Sequence, residues 1–554
     1  GIIRREDFPG GCPVGVHIPQ FIAKVAEGDF AAAWEILSAD NTLPAVCGRV
    51  CPQENQCQAV CVRGKKGESV AIGRLERFVA DWHRAQQEPK APSCAEEKGK
   101  KVAVVGSGPA GLACAGELAR MGYSVTVFEA LHTPGGVLAY GIPAFRLPKD
   151  ILHEEIAGLE KLGVTIQTDT VIGRTIPVDE LLKNGFSAVF LGSGAGLPNF
   201  MGIPGETLCG VFSANEWLTR INLMHAAEPG AATPLMPAKH VVVVGGGNVA
   251  MDAARCALRC GAEKVSLYCL EDYDSMPMGV EDRTECEEDG IEIHAGWGQT
   301  EILTENGRCS GIRFRKCLSV RNAEGRFAPT FDDNTTEEVP CDMVLYCIGQ
   351  KVDWKGLLTG TAVELNPNGT AKADPVTYQT AEPDIFVGGD VYTGQKFAID
   401  AIAAGKQGAV SLHRWVQDAT LTIGRDKREF IELDKNNLLL EEASYDNTPR
   451  QRIGYNETLR KTFKDGRVAF TEEQVKAETA RCLGCGASVV DPNKCIGCGI
   501  CTTRCAFDAI HLHRDLPECS TMRSAEDKMK GILPYMIKRK IRIRRAKKAE
   551  KRNG

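Results

Sequence analysis

The 554-residue sequence predicts a multidomain α/β protein, and three observations support this fold class. Apolar residues recur at helical spacing before residue 85, as in IPQFIAKVAEGDFAAAWEIL. From Lys101 to about Thr420, short β-branched strands alternate with glycine turns and helices. Cysteines cluster near both ends, at 47–61 and 482–505, which in an intracellular protein indicates metal ligands rather than disulfides.

The bulk composition is that of a soluble globular protein, with 43% hydrophobic and 25% charged residues. A net charge of −6 argues against a general nucleic-acid binder. No apolar run approaches the roughly 18 residues of a membrane span, and the N-terminus lacks the apolar core of a secretion signal. We therefore expect a cytoplasmic protein in a reducing, oxygen-poor setting.

The first glycine-rich unit is KVAVVGSGPAGLACAGELARMGYSVTVFEA. A strand at 101–105 runs into Gly106, Gly108 and Gly111, then a helix and a second strand that ends at Glu129. The glycines permit a tight turn and close approach of a pyrophosphate to the helix N-terminus. A carboxylate about twenty residues on suits a ribose hydroxyl. The unit predicts a Rossmann-like dinucleotide-binding domain.

A second unit of the same type is HVVVVGGGNVAMDAARCALRCGAEKVSLYCLE. Gly245, Gly247 and Ala250 occupy the fingerprint positions, with Asn248 at the start of the helix. Alanine is allowed at the third position. Two such units predict two dinucleotides that face each other.

Four further segments make the pattern specific: AVFLGSGA (188–195), MVLYCIGQ (343–350), DIFVGGDV (384–391) and GGVLAYGIPAFRLPKDIL (135–152). Together they resemble the two-dinucleotide-domain flavoproteins. The last segment closely resembles the glutamate synthase small-subunit branch. That branch includes the large subunit of ferredoxin-dependent NADH:NADP transhydrogenase and the N-terminal half of dihydropyrimidine dehydrogenase. The resemblance covers about residues 10–420.

The resemblance implies FAD in the first site and a nicotinamide nucleotide in the second. Asp390 matches the aspartate that binds the ribityl chain, and Gly136 lies in the family segment described above. Ala401 lies in the first turn of the following helix, whose N-terminal dipole favours negative charge on the reduced flavin. We expect all three residues to contact FAD besides the first fingerprint.

The strand after the second fingerprint bears on the choice of nicotinamide. Relatives often carry paired arginines there, which hold the 2′-phosphate of NADP. Leu270 and Glu271 stand at those positions here, followed by Asp272. A carboxylate suits a free ribose hydroxyl and repels a phosphate, which favours NADH. Arg283 keeps an NADPH alternative open.

The N-terminal segment, with CPVGVHIPQFI, CGRVCPQENQCQAVC and IGRLERF, resembles the iron–sulfur domain of the same family. Glu76 has two interpretations: it is a cluster ligand, as the resemblance implies, or it is a solvated or salt-bridged helix residue. Relatives carry an upstream Cys-x-x-Cys pair, which is not in this sequence, so the roles of Cys47 and Cys61 stay open. The resemblance implies one [4Fe–4S] cluster with four ligands: Cys12, Cys51, Cys57 and Glu76.

The segment CIGCGICTTRC at 495–505 resembles half of a bacterial two-cluster ferredoxin. In such proteins the fourth cysteine of the run ligates another cluster. We therefore expect at least two clusters in the chain, with a second C-terminal one left open around Cys505 and Cys519. The expected ligands of the C-terminal cluster are Cys495, Cys498 and Cys501 with Cys482 or Cys485.

These patterns divide the chain into seven segments. They are a helical [4Fe–4S] domain (1–85), an FAD-binding domain (98–230), an NAD(P)H-binding domain (231–375), a return segment of the FAD-binding domain (376–420), a linker region (421–480), a ferredoxin-like [4Fe–4S] domain (481–520) and a basic tail (521–554).

The predicted function is an NAD(P)H-dependent iron–sulfur flavoprotein oxidoreductase. Hydride passes to FAD, and single electrons pass through clusters to or from a partner subunit or ferredoxin in a hetero-oligomeric complex. Alignment rather than an acid–base residue drives the hydride step. The basic tail is either a solvated terminus or a docking element for an acidic partner. Three alternatives remain: a glutamate synthase small subunit, a flavin-bifurcating transhydrogenase subunit, and a non-enzymatic electron conduit.

Overall fold

The computed structural model describes residues 11–65, 67–86, 94–425, 448–484, 496–504, 511–512 and 527–553. The chain divides into two compact units, residues 1–488 and residues 489–554. The first unit holds the helical N-terminal domain and both nucleotide domains.

The N-terminal domain is helical, as the apolar spacing predicts. Asp29 caps the second helix by accepting a hydrogen bond from the Ala32 amide at 3.0 Å. In the fourth helix, Ile72, Leu75 and Val79 recur at helical spacing and are buried. The helices are α1 (Ile18–Ala26), α2 (Phe30–Asp40), α3 (Pro44–Val50) and α4 (Ile72–Arg84), with 3₁₀ turns at Gln53–Asn55 and Val62–Lys65.

The first nucleotide domain is built on a five-stranded parallel sheet in the order β15-β4-β1-β2-β3. The late strand β15 returns to this sheet beside β4, as DIFVGGDV predicts. The strands are β1 (Lys101–Val105), β2 (Ser124–Phe128), β3 (Thr165–Gln167), β4 (Phe186–Leu191) and β15 (Ile385–Val387). The helices are α5 (Pro109–Arg120), α6 (Val137–Tyr140), α7 (Lys149–Lys161), α8 (Val178–Lys183), α12 (Asp390–Thr393) and α13 (Ala398–Val416).

The second nucleotide domain repeats this architecture with the parallel order β6-β13-β7-β8-β9. Its central strands are largely apolar because both faces of the sheet are covered, one by helices and the other by the antiparallel ribbon described below. They are β6 (Val211–Ser213), β7 (His240–Val244), β8 (Lys264–Cys269), β9 (Glu292–Ala295) and β13 (Met343–Tyr346). The helices are α9 (Ala214–Asn222), α10 (Asn248–Arg259) and α11 (Val280–Glu288).

Two antiparallel elements complete the nucleotide region. A long three-stranded ribbon extends from the second domain, and a short strand pair lies where the chain passes between the two domains. The ribbon is β10 (Trp297–Glu305), β11 (Arg308–Arg321) and β12 (Phe327–Pro340), and the pair is β5 (Leu197–Pro198) with β14 (Gln350–Lys351).

The described part of the segment predicted as a linker packs on the helical domain. After a 3₁₀ turn at Glu457–Leu459, helix α14 (Glu472–Ala480) follows. Phe470 and Val475 are buried in the core that also contains the apolar residues of α1. The division at 421–480 stays a prediction, but 448–480 is tightly folded rather than extended.

The second unit contains two described helices, α15 (Ile500–Arg504) and α16 (Lys528–Asn553). Apolar side chains of α16 are exposed, and Tyr535 and Ile537 are each more than half exposed. Among the residues that the structure describes, no helix is both long and apolar enough to cross a membrane.

Close packing of α13 against α5 should make Gly405 intolerant of any side chain. A Cβ there would lie 2.1 Å from the Ala110 carbonyl oxygen, so we expect Gly405→Ala to destabilise the fold by about 1–3 kcal/mol. Gly158 in α7 has no atom within 4 Å of its Cβ position, so Gly158→Ala should stabilise the protein by about 0.5–1 kcal/mol. Thermal unfolding followed by circular dichroism measures both. Equal midpoints for the two variants would contradict the close approach.

Candidate functional site

The first glycine turn requires glycine where the backbone closes on itself. Gly106 has φ +98°, and its Cβ would lie 2.6 Å from the Gly192 carbonyl oxygen. A Cβ on Gly111 would lie 1.9 Å from the Gly106 carbonyl oxygen. Gly108, by contrast, has no atom within 4 Å of its Cβ position. The turn is therefore closed on the protein side and open at the residue where a pyrophosphate would approach.

Glu129 faces this turn from the end of β2. Its Oε2 accepts hydrogen bonds from the Ser107 amide at 2.9 Å and the Ser107 hydroxyl at 2.5 Å. Its Oε1 accepts from the Leu131 amide at 2.9 Å. A carboxylate has about four acceptor positions, so capacity remains for a ribose hydroxyl. The structure thus holds the predicted acid rigidly at the turn.

The residues expected to contact FAD converge on the same turn. A Cβ on Gly136 would lie 2.7 Å from the Gly108 Cα. The Cβ position of Gly389 lies 3.0 Å from the Ala110 Cβ and 3.7 Å from the Ala401 Cβ. Asp390 begins α12 immediately after Gly389, and burial raises the pKa of its carboxyl to about 6. Three segments distant in sequence therefore meet at one edge of the first sheet.

The second glycine turn has the same construction. Gly245 has φ +141°, and its Cβ would lie 2.4 Å from the Cys347 carbonyl oxygen. Gly247 is open, with no atom within 4 Å of its Cβ position. Ala250 is fully buried in α10. The Asn248 side-chain oxygen accepts from the Gly279 amide at 3.3 Å, which ties the turn to the loop before α11.

Glu271 points its carboxylate at this second turn. Its Oε2 lies 3.1 Å from the Cβ position of Gly246. Two basic side chains near Glu271, Arg283 and Lys316, both bond backbone carbonyls and contact aromatic rings. Arg283 donates to the Tyr273 carbonyl and stacks at 4.1 Å over the Tyr273 ring. Lys316 donates to the Ala295 carbonyl at 3.4 Å and lies 4.9 Å from the Trp297 ring centre.

The N-terminal cysteines predicted as ligands lie close together with Glu76. Burial raises the pKa of the Cys12 thiol to about 12, and the charges of Glu76 and Cys47 add to the shift. Burial raises the pKa of the Cys57 thiol, and the charges of Cys12 and Glu76 add to that shift. For Cys51, a hydrogen bond with Cys47 is the largest cause of the raised pKa.

Glu76 itself is buried on α4 and is not the solvated residue of the alternative interpretation. Burial raises the pKa of its carboxyl to about 8, and a 3.3 Å hydrogen bond from the Asn41 side chain opposes that shift. Among the described residues, no group of three or more acidic, histidine or cysteine side chains is spaced for one metal ion. Ligands of a four-iron cluster each bind a different iron, so they stand further apart than ligands of a single ion.

The remaining predicted ligands fall in different parts of the chain. Cys47 is buried beside Cys51, and Cys61 lies at the edge of the same helical core. Cys482 also packs on that core, in the first unit. Cys498 and Cys501 are exposed and lie in the second unit. Cys485, Cys495 and Cys505 are also predicted ligands and lie outside the described residues.

Sequence reasoning missed the residues that join the helical domain to the first nucleotide domain. Lys406 on α13 donates to the Asp40 carbonyl at 2.6 Å and the Val14 carbonyl at 3.4 Å. Glu155 on α7 accepts from the Ala45 amide at 2.8 Å. The only sequence signal is a charged residue on the otherwise apolar side of a helix, as in AIAAGKQGA.

A cavity of about 20 Å³ lies between the cysteine region and the second nucleotide domain. Its walls include Cys51, Arg74, Arg146, Asp282 and Arg467. That volume holds about one water molecule. A small polar space lined with charged groups thus lies between Cys51 and the second nucleotide domain.

The helical region, the nucleotide-binding region and the C-terminal cysteine-rich region each match a known protein family. Residues 6–88 match the 4Fe–4S cluster domain II of dihydropyrimidine dehydrogenase. Residues 100–405 match the pyridine nucleotide-disulphide oxidoreductases, and residues 488–511 match a 4Fe–4S binding domain. The fold and the matched regions define an NAD(P)H-dependent iron–sulfur flavoprotein oxidoreductase, which confirms the predicted fold class and enzyme class.

Curated relatives match over most of their length. The NADP(+)-dependent formate dehydrogenase subunit beta of Moorella thermoacetica is 34% identical, over 86% of this chain and 69% of its own. The glutamate synthase (NADPH) small chain of Escherichia coli is 33% identical, over 73% and 88%. The NADPH-Fe(3+) oxidoreductase subunit beta of Geobacter sulfurreducens is 31% identical, over 86% and 74%. These relatives are named as subunits of larger enzymes.

Among solved structures, FprA of Mycobacterium tuberculosis in complex with NADPH has a TM-score of 0.50 at 17% identity. The match covers 70% of this chain and 100% of FprA, and it shows the shared fold. The chain belongs to the pyridine nucleotide-disulphide oxidoreductase family, in the iron–sulfur branch of the glutamate synthase small chain. The resemblance found in the sequence is therefore confirmed.

Replacing one of the clustered N-terminal thiols should remove one cluster. We expect Cys57→Ser to lose about four irons per chain, because a serine hydroxyl is a weaker iron ligand than the cysteine thiolates that hold such clusters. Cys114→Ser is the control, since Cys114 is a buried thiol in α5, outside the proposed ligand set. Iron and acid-labile sulfide are measured on anaerobically purified protein. Unchanged iron in Cys57→Ser would remove Cys57 from the ligand set.

Proposed function

We propose that this chain oxidises NADH and delivers the electrons one at a time to a partner subunit or ferredoxin within a hetero-oligomeric complex. FAD supplies the exchange between hydride and single electrons, and [4Fe–4S] clusters carry the single electrons. The chain holds NADH and FAD in place and arranges the nicotinamide, the flavin and the clusters along one route for the electrons. Three sets of residues carry these roles.

The first set holds FAD and the second holds the nicotinamide nucleotide. The open Cβ positions of Gly108 and Gly247, each flanked by backbone contacts, leave room for a pyrophosphate at each turn. Residues for FAD are Gly106, Gly108, Gly111, Glu129, Gly136, Asp390 and Ala401. Residues for the nicotinamide nucleotide are Gly245, Gly247, Asn248, Ala250 and Glu271.

The third set is the N-terminal group, for which we propose Cys12, Cys51, Cys57 and Glu76 as ligands of one cluster. Their burial fits the proposal because iron binding replaces protons that burial otherwise retains on the thiols. Cys47 hydrogen-bonds Cys51, so we propose that it tunes the Cys51 ligand and is not itself a ligand of the cluster.

The single observation that carries the proposed route is the contact of Lys406 with the Cys12 loop. Lys406 lies five residues after Ala401 on α13, which corresponds to about 7.5 Å along the helix axis. It bonds the carbonyl of Val14, two residues after Cys12. One rigid helix therefore runs from the proposed flavin residues to the proposed cluster residues.

The position of Glu271 supports NADH over NADPH. Its carboxylate faces the glycine turn, where it suits a ribose hydroxyl and repels a 2′-phosphate. Arg283 and Lys316 are both engaged elsewhere by carbonyls and aromatic rings. Under this proposal the chain differs in nucleotide preference from the relatives that are named for NADPH.

Glu271→Arg should shift the preference from NADH to NADPH. Removing the repulsion and adding a phosphate partner should raise kcat/KM for NADPH by about 10-fold or more and lower that for NADH. Steady-state reduction of ferricyanide with each nucleotide measures the ratio. Glu263→Arg, on the exposed turn before β8, is the control for added charge. An unchanged ratio would exclude Glu271 as the determinant.

The setting and the partner follow from charge and cysteine chemistry. Cysteines grouped as proposed cluster ligands, rather than as disulfides, support a reducing cytoplasm. Helix α16 carries KRKIRIRR on an exposed surface, so an acidic face on the partner would be steered toward it. Both the cytoplasmic setting and this docking role are part of the proposal.

A second candidate function is the small chain of a glutamate synthase. The 33% identity over 88% of the Escherichia coli small chain favours it. The additional 4Fe–4S region at 488–511 and the Glu271 side chain favour the first proposal. Glutamine-dependent glutamate formation on addition of a glutamate synthase large chain would decide for the second candidate.

The test of the main proposal is an anaerobic titration of the cluster-loaded full chain with NADH and then NADPH. Flavin absorbance reports the hydride step, and electron paramagnetic resonance reports reduced clusters. We expect NADH to reduce both the flavin and the clusters, and NADPH to reduce them much less. Reduction by NADPH alone would overturn the NADH preference. Reduction by neither nucleotide would overturn the dehydrogenase role in favour of an electron conduit.

A further inference from the structure

The described segment 448–482, here called the strap, is anchored on the helical N-terminal domain. Its helix α14 starts with a capping box, in which Thr471 and Gln474 each accept a hydrogen bond from the other's backbone amide, at 3.3 Å and 3.0 Å. Phe470 and Val475 are 4% and 2% exposed and pack into the core of the helical domain. The strap thus packs on the helical domain, and its Arg467 also pairs with Glu285 of the second nucleotide domain at 2.7 Å.

A buried ion pair fixes the end of the strap. Arg481 is 1% exposed and pairs at 2.6 Å with Glu478, which is fully buried. Glu478 also accepts from the Ala71 amide at 2.7 Å, across to the start of α4. Arg481 donates to the Glu68 carbonyl at 2.6 Å and the Ser69 carbonyl at 3.3 Å. A buried pair with this many partners satisfies its polar atoms and specifies one position of the chain.

The anchor brings Cys482 to the part of the domain that carries Cys61. The Thr448 carbonyl accepts both from Arg481 at 2.9 Å and from Arg63 at 3.4 Å. Cys61 lies two residues before Arg63, and Cys482 directly follows Arg481. Both thiols are half-buried and pack against the helical core. Two cysteines 421 positions apart therefore each lie within two residues of an arginine that bonds the same carbonyl.

We propose that Cys61 and Cys482 are ligands of one iron–sulfur cluster in the helical domain, distinct from the Cys12, Cys51 and Cys57 set. Closing a loop of this length costs conformational entropy, and the buried anchor offsets that cost next to the thiol. Cys482 is in the first unit, whereas Cys498 and Cys501 are in the second. This assignment replaces the expectation that Cys482 completes the ferredoxin-like cluster. Cys485 lies outside the described residues and is not part of the inference.

The decisive test compares iron content in single and double variants of the full chain, purified anaerobically. Cys61→Ser and Cys482→Ser should each lose about four irons, and the double variant should lose no more than either single one. Cys482→Ser combined with Cys498→Ser should lose about eight, because two clusters are removed. Cys260→Ser, at the end of α10, is the half-buried control and should lose none.

The reverse pattern overturns the proposal. If Cys482→Ser with Cys498→Ser loses no more iron than either single variant, Cys482 belongs to the C-terminal cluster. If Cys482→Ser loses no iron, Cys482 is a packing residue. The flavin titration described above is a separate readout, because failure of NADH to reduce flavin leaves these iron counts unaffected.

A second measurement avoids substitution, in case the variants fold poorly. The unmodified protein is treated with iodoacetamide anaerobically, before and after iron removal by a chelator, and labelled cysteines are mapped by mass spectrometry. Cys61 and Cys482 should be protected until iron is removed. Cys94 and Cys209, which are exposed, should be labelled throughout. Labelling of Cys482 in the iron-loaded protein would contradict the assignment.

Discussion

The structure depends on a buried network of arginines and carboxylates that joins the three parts of the first unit. Arg146, from the first nucleotide domain, pairs with Asp252 at 2.9 Å and Asp282 at 3.3 Å in the second. Burial alone would raise the pKa of Glu285, but Arg467 and Arg255 lower it to about 2. Breaking one partner would leave a buried charge unpaired, which costs about 3–5 kcal/mol. The network therefore fixes the nucleotide domains against the helical domain.

A fixed arrangement suits a protein whose task is transfer between bound groups. In such a protein, rates depend on the distance and orientation of the groups rather than on acid–base chemistry. Helix α13 shows how the fold meets this demand. Its first turn adjoins Gly389 and the first fingerprint, and its third turn holds the Cys12 loop through Lys406. The same helix packs on α5 so closely that Gly405 admits no side chain.

The sequence was sufficient to predict local features and insufficient for long-range ones. The fingerprints, the strand at 385–387 and the carboxylate of Glu271 follow from spacing, because backbone geometry ties these residues to the glycine turns. The contacts of Lys406 and the burial of Arg481 do not follow from spacing. Their partners are hundreds of residues away, so nothing in the local pattern distinguishes them from surface charges. For that reason the sequence pattern predicts a linker region at 421–480 and none of the contacts that the strap makes.

The strap also has a consequence for how the protein is made. The helical domain is the first described part to leave the ribosome, yet its core includes Val475 and its polar groups include Glu478. About 360 residues separate the end of α4 from the start of the strap, which at roughly 5–20 residues per second is a delay of about 18–72 s. During that interval the cysteine region of the helical domain lacks its final cover. The order of synthesis thus leaves a period in which iron and sulfide can be delivered before the domain closes.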